Sequence, residues 1–148
     1  MSAAPSSARG TRGPSVPISS LMQRQVRSVS MDQTVQEVED CMLREGLVWV
    51  PVVEADAATV IGVISAHDLL RLRVEGRDAA ALKAWQLCTY KPLAVAPDTP
   101  LDEVAALMLE RRVHHIVVMR GSVMEGVVSS LDFVRAFVAD VPGTRPGA

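Results

Sequence analysis

Gly62-Val63-Ile64-Ser65-Ala66-His67-Asp68 recurs later in the chain as Gly126-Val127-Val128-Ser129-Ser130-Leu131-Asp132. In each stretch a glycine opens a β-branched run that ends at a serine, and an aspartate follows that serine by three positions. The β-branched run is typical of a buried strand, and the serine–aspartate spacing is typical of a helix start. Each stretch therefore predicts a strand that leads directly into a helix.

The repeat extends upstream of these two stretches in one register. Matching pairs occur in the same order in both halves, with one slightly shorter loop in the second half. The pairs are Leu21 with Leu87, Val29 with Val95, Asp32 with Asp98, Glu37-Val38 with Glu103-Val104, Met42-Leu43 with Met108-Leu109, and Val52 with Val118. The chain therefore consists of two copies of one unit.

Both copies predict the order β-α-β-β-α. The predicted elements of the first copy are a strand at 26–30, a helix marked by Val35, Val38, Cys41 and Met42, strands at 48–53 and 60–64, and a helix from Ala66 to about Val74. Those of the second are a strand at 93–96, a helix marked by Leu101, Val104, Leu107 and Met108, strands at 116–119 and 123–128, and a helix from Ser130 to about Ala139. Thr99 is the predicted N-cap of the helix in the second copy, with Pro100 in its first turn. An α/β fold follows.

The domain organisation follows from the repeat and from the composition of the segments around it. The first motif spans 16–75, a linker helix 76–87 and the second motif 88–139, with flexible tails at 1–15 and 140–148. A unit of about 60 residues has a marginal core by itself. The two copies are therefore expected to pack against each other about a pseudo-twofold axis.

The composition excludes several classes of protein. Of the 148 residues 49% are hydrophobic and 3% aromatic, and the formal charge is −2, so the core is aliphatic and nucleic-acid binding is not indicated. No apolar segment reaches the length that spans a bilayer. Cys41 and Cys88 form no CxxC pair, so we expect free thiols and a cytoplasmic location.

These motifs resemble the cystathionine-β-synthase (CBS) domain. Three segments of the first copy carry the resemblance: 17–22 with Val29 and 32–35, the strand at 50–53, and the strand–turn–helix at 62–70. The second copy repeats the last of these at 126–133. The resemblance covers about 16–139 and implies a CBS pair, or Bateman module, which usually forms a homodimer and binds adenosine-containing ligands between its motifs.

The resemblance also implies roles for particular residues. Asp68 and Asp132 would accept hydrogen bonds from ribose hydroxyls, and Ser65 and Ser129 would support the ribose or a phosphate. Val63 and Val127 would contact adenine. The stretch Val113-His114-His115-Ile116 is similar to a phosphate-facing stretch in the regulatory gamma subunit of AMP-activated kinase, so His114 and His115 are candidate phosphate contacts. The first copy carries Val48 and Trp49 there, without a cation.

Ordinary structural roles compete with these functional ones. The Ser–Asp spacing in each copy is that of a capping box with Asp in place of Glu, and capping alone would account for all four residues. Adjacent histidines on a strand point to opposite faces, so one of them is expected to face packing or solvent. A tryptophan such as Trp49 is more often a packing anchor than a ring that stacks on a ligand.

No nucleophile elbow, glycine-rich phosphate loop or zinc signature occurs, so we expect neither catalysis nor a bound metal. The prediction is a stand-alone regulatory module that binds AMP, ADP, ATP or S-adenosylmethionine and acts on a separate effector protein. The alternative is a structural or dimerisation protein with empty clefts.

Overall fold

A computed structural model of the chain describes residues 16–140. The predicted tails, 1–15 and 140–148, lie outside the described residues except for Asp140, which ends the last helix. The first motif contains β1 (Val29–Ser30), α1 (Val35–Glu45), β2 (Trp49–Val53), β3 (Val60–Ser65) and α2 (Ala66–Val74). After it come α3 (Ala84–Leu87), β4 (Thr89–Tyr90), β5 (Ala94–Val95), α4 (Leu101–Arg111), β6 (His115–Arg120), β7 (Val123–Ser129) and α5 (Ser130–Asp140). The predicted α/β order of both copies is confirmed.

Two sheets carry the two motifs. The first has the order β1-β2-β3-β4, and the second has the order β5-β6-β7. In each, the opening strand runs parallel to the next one, and a hairpin follows with antiparallel pairing. The antiparallel pairing places Val50 opposite Ile64 in the first sheet and Ile116 opposite Val128 in the second. All four of these side chains are fully buried, so each hairpin forms the centre of a core.

The segment that leads into each motif crosses to the other motif. Thr89 pairs antiparallel with Val63, so β4 extends the sheet of the first motif. At the pseudo-equivalent place, Gln23 forms an antiparallel bridge with Val127 of the second motif. The cores follow the same exchange, since Ile18 packs in the second core and Ala84 in the first. The two motifs therefore share their cores and form one folded unit.

Two glycines make this exchange sterically possible. A Cβ added at Gly62 would lie 2.5 Å from the carbonyl oxygen of Thr89, and one at Gly126 would lie 2.7 Å from that of Gln23. Carbon and oxygen atoms normally approach to about 3.3 Å. The two glycines that open the repeated stretches are thus required where the crossing segments lie against the hairpins.

The predicted linker helix is wrong over most of its length, because only α3, Ala84–Leu87, is helical. Gly76 follows α2 in a left-handed conformation, and Asp78 accepts a bond from the Ala80 amide in a local turn. The first amides of α1 then donate to the linker: Val35 N to the Leu82 carbonyl at 2.8 Å and Gln36 N to the Ala79 carbonyl at 3.0 Å. A continuous linker helix would have needed these carbonyls for its own hydrogen bonds. The tertiary bonds therefore override the helix propensity of the linker.

The predicted Thr99 cap is also wrong. Helix α4 begins at Leu101, and its N-cap position is held by Pro100, without a side-chain cap bond. The Leu101 amide instead donates to the Val16 carbonyl at 2.8 Å, and the Thr99 carbonyl accepts from Ile18 N at 2.7 Å. The crossing segment thus supplies the cap that the sequence assigned to a side chain.

Candidate functional site

Trp49 and His115 form a stacked pair where the two motifs meet. They occupy equivalent positions at the starts of β2 and β6, and their ring centroids are 4.8 Å apart with planes inclined by 7°. Both residues line two clefts, one on either side of the stack. Trp49 therefore acts as a packing anchor between the motifs, the role that sequence reasoning favoured.

The first cleft, defined by Asp68, has a volume of about 650 Å³. Ser65 and Val63 of the first motif line it on one side. The other lining residues belong to the segment that leads into the second motif and to the second motif itself, among them Thr89, Lys91, Arg112 and His114. Three of the candidate residues of the first copy are thus brought together, and a histidine of the second copy joins them.

The second cleft, defined by Asp132, has a volume of about 250 Å³. Val127 and Ser129 line it together with residues that precede β1, including Gln23 and Arg27. This arrangement mirrors that of the first cleft. Each cleft is built by the closing strand–helix of one motif and by the segment that leads into the opening strand of the other motif.

Asp68 completes a capping box at the start of α2. Ser65 N donates to Oδ2 of Asp68 at 2.8 Å, and Asp68 N donates to the Ser65 hydroxyl at 3.2 Å. The Ser65 hydroxyl also donates to the same Oδ2 at 2.9 Å. The other oxygen, Oδ1, has Arg71 at 3.9 Å as its charged neighbour. Capping thus occupies one carboxylate oxygen and leaves Oδ1 able to accept a hydrogen bond from a ligand.

Asp132 repeats the two backbone bonds of this cap and accepts one further bond, from Gln23. Ser129 N donates to its Oδ2 at 2.8 Å, as in the first motif. Its Oδ1 accepts from Nε2 of Gln23 at 2.9 Å and lies 3.6 Å from Arg135. The side chain of Asp132 is 6% exposed, against 15% for Asp68. The two aspartates therefore differ in how far they can be reached by a ligand.

The two histidines face different surroundings. His114 is exposed and lines the first cleft, whereas His115 is half-buried against Trp49. Burial lowers the pKa of His115, the neighbouring His114 lowers it further, and the carboxylate of Asp132 acts in the opposite direction. His115 is therefore neutral at pH 7 and supplies no positive charge there. His114 stands in the cleft of the first copy's aspartate, although sequence reasoning associated it with the second copy.

Sequence reasoning missed the cationic residues of the first cleft. Lys91 and Arg112 line it, and both have left-handed backbones, with φ of 55° each. For Arg112 this conformation is that of the C-cap of α4, and the equivalent residue at the end of α1 is Gly46. The repeat register places Lys91 opposite Gln25, but nothing in the sequence indicates that Lys91 and Arg112 share a cleft. Within residues 16–140 no cluster of three or more His, Cys, Asp or Glu side chains could hold a metal ion.

The sequence model of the CBS domain matches residues 18–75 and 84–139. The chain belongs to the CBS domain family. Its two CBS domains are the two motifs described above, and the second match includes α3 and β4, which cross to the first motif. No helix within residues 16–140 combines the length and apolar character needed to cross a bilayer.

Curated proteins and solved structures are similar to this chain. The mitochondrial CBS domain-containing protein CBSX3 of Arabidopsis thaliana is 32% identical over 111 residues, which are 72% of this chain and 54% of that protein. The chain spans about half the length of the first curated relatives that it matches. A putative signal-transduction protein with CBS domains from Burkholderia ambifaria MC40-6 is 25% identical with a TM-score of 0.75, over 84% of this chain and 96% of that one. The structure of CBSX2 in complex with AMP has a TM-score of 0.74 at 22% identity, over 82% and 95% of the two chains.

Proposed function

We propose that this CBS pair is a regulatory module that binds an adenine nucleotide in the first cleft and acts on a separate effector protein. The observation that carries the proposal is the open Oδ1 of Asp68 in a cleft that also contains Lys91, Arg112 and His114. A carboxylate oxygen can accept from ribose hydroxyls, and the charges of Lys91 and Arg112 can neutralise phosphate. The volume of about 650 Å³ is within the range of small-molecule sites, about 300–1,000 Å³.

Each candidate residue of the first copy has a part in this proposal. Ser65 holds the Asp68 carboxylate in place through two hydrogen bonds, and Val63 offers an apolar wall for adenine. Helix α2 begins at the cleft, so its N-terminal amides also favour an anionic ligand. Val127, Ser129 and Asp132 form the equivalent set in the second cleft, where His115 is the neighbouring histidine.

The charge of the cleft favours nucleotides over S-adenosylmethionine. Lys91 and Arg112 are cationic, and Asp68 is the one carboxylate among the described lining residues. The sulfonium of S-adenosylmethionine is also cationic and would be repelled, whereas AMP, ADP and ATP would be attracted. The complex of CBSX2 with AMP shows that a protein of this fold accommodates AMP.

A homodimer is the second part of the proposal. Large apolar side chains are exposed at equivalent positions of the two motifs, on α1 and α2 and on α4 and α5. They are Leu43, Leu70 and Val74 in the first motif and Leu109, Val134 and Val138 in the second, with exposed fractions of 45–81%. Two like faces on one chain suit an isologous contact with a second copy, in which each face is covered by its counterpart. Ligand binding would then shift the population between two dimer arrangements.

The capping geometry supports the alternative of a ligand-free structural protein. Ser65 and Asp68 form a complete capping box without any ligand, so stability alone gives these residues a role. A structural protein would keep its clefts empty. Two buried free cysteines, Cys41 and Cys88, suit a reducing compartment such as the cytoplasm under both proposals.

Calorimetric titration with AMP, adenosine and S-adenosylmethionine separates the two proposals. Asp68→Ala should weaken AMP binding about ten- to a hundredfold, because a hydrogen bond to a charged group contributes about 1.5–3 kcal/mol. Asp56→Ala is the matched control, since Asp56 is an exposed carboxylate that also caps a local turn but lies outside the clefts. Absence of AMP binding by the unaltered chain at millimolar concentration would refute the sensing proposal and support the structural one.

A further inference from the structure

Gln23 and Thr89 occupy the same place in the two halves of the molecule. Gln23 N donates to the Val127 carbonyl at 2.8 Å, and Val127 N donates to the Gln23 carbonyl at 3.0 Å. Thr89 pairs in the same antiparallel manner with Val63, the counterpart of Val127. Each of the two residues lines the cleft of the hairpin with which it pairs. The backbone is thus equivalent at the two places, and the side chains differ.

Because these side chains differ, Oδ1 of the nearby aspartate accepts a hydrogen bond from the leading segment in one cleft and not in the other. The longer Gln23 reaches Oδ1 of Asp132 and donates an amide hydrogen at 2.9 Å. Across residues 16–140 no hydrogen bond joins Thr89 to Asp68. The flanking arginines do not account for the difference, since Arg135 and Arg71 approach their aspartates similarly, at 3.6 and 3.9 Å.

The cleft in which the aspartate is bonded by Gln23 is also the smaller of the two. The first cleft measures about 650 Å³ and the second about 250 Å³, and the second is below the usual range of about 300–1,000 Å³ for small-molecule sites. A ribose hydroxyl that approached Asp132 would have to replace the glutamine amide. One hydrogen bond would then be exchanged for another, which gives little net gain.

We propose that Gln23 is a built-in latch on the second cleft, so that the chain binds one adenine nucleotide, in the first cleft, and excludes a second. This inference rests on the proposed function, because it assigns the nucleotide to one of two equivalent clefts. The latch holds the ribose-binding oxygen of Asp132 with a group of the protein itself. The residue at position 23 therefore sets how many nucleotides the module takes.

Exchanging the two equivalent residues tests the latch. Titration calorimetry with AMP should give one AMP per chain for the unaltered protein and two per chain for Gln23→Thr. The second site should disappear again in the double variant Gln23→Thr/Asp132→Ala. Thr89→Gln should weaken the first site about ten- to a hundredfold, because a hydrogen bond to the charged carboxylate must then be displaced. Melting curves establish that each variant is folded, and Gln23→Ser replaces Gln23→Thr if the latter is not.

The outcomes distinguish the latch from the proposed function. Two AMP per chain in the unaltered protein would overturn the latch and leave nucleotide sensing intact. A single site in both Gln23→Thr and Gln23→Ser would do the same. Absence of AMP binding by the unaltered chain and by both Gln23 variants would overturn the latch and nucleotide sensing together.

Discussion

Replacing Gly62 by alanine tests the crossing of the leading segments, the feature on which both clefts depend. The added Cβ would lie 2.5 Å from the Thr89 carbonyl oxygen and 2.8 Å from Sγ of Cys88. A normal carbon–oxygen contact of about 3.3 Å requires strand β4 to move by about 0.8 Å. Because the obstructing atom belongs to the backbone of a paired strand, rotation of a side chain cannot relieve the contact.

The expected loss of unfolding free energy is about 3–5 kcal/mol. Overpacking accounts for about 1–3 kcal/mol. Weakened hydrogen bonding at the two paired positions of β3 and β4 accounts for about 1 kcal/mol at each. At roughly 3–4 °C per kcal/mol for a chain of this size, the melting temperature should fall by about 9–20 °C. Urea unfolding followed by circular dichroism gives the free energy, and calorimetry gives the melting temperature.

Gly121→Ala is the comparison variant. A Cβ at Gly121 meets nothing within 4 Å, but the residue has a φ of +64°. Its replacement should cost only the left-handed backbone penalty, about 1–2 kcal/mol. If Gly62→Ala is no more destabilising than Gly121→Ala, strand β4 does not lie against Gly62 and the crossed arrangement is wrong.

Three further expectations concern a helix cap, a buried histidine and the dimer. Thr34→Ala should lower the unfolding free energy by about 1 kcal/mol in urea titrations, because the Thr34 hydroxyl accepts from the Glu37 amide at 3.1 Å; a change below measurement error would contradict the cap. The pKa of His115 is lowered in the folded chain. As the pH falls through the unfolded pKa of about 6.5, the unfolded state therefore binds more protons than the folded state does. The unfolding free energy falls with the pH as a result. His115→Phe keeps an aromatic ring against Trp49 and should lose that part of the pH dependence between pH 7 and 5; identical pH profiles would contradict the shift. Leu109→Asp should shift sedimentation toward a monomer while Glu110→Ala, its exposed neighbour on α4, does not; a monomeric unaltered chain would refute the proposed dimer.

The repeat and its local patterns predicted the β-α-β-β-α elements of both motifs, but not strand β4. The predicted span of α2, Ala66 to Val74, agrees with the structure, because a serine N-cap and an apolar periodicity are local signals. The Ser–Asp capping geometry was likewise predicted and is confirmed in α2. Family resemblance supplied the candidate ligand residues, and the structure places Ser65, Asp68, Val63 and His114 around one cleft.

Tertiary contacts determined the conformation of the linker and the difference between the two aspartates. The stretch 79–82 favours a helix, yet the carbonyls of Ala79 and Leu82 accept from the first amides of α1, so helical bonding does not continue there. The repeat also could not predict that Asp132 and Asp68 differ in their hydrogen bonds, since both occur in the same local motif. It arises because Gln23 and Thr89, 66 positions apart, lie over the hairpins of opposite motifs, and only one of them has a side chain that bonds the aspartate. The sequence by itself determined two alike units and the Ser–Asp cap at the start of α2, but not the cap of α4. Long-range crossing of the leading segments decided which cleft is open, because hydrogen bonds between residues distant in sequence depend on the packing of the whole chain.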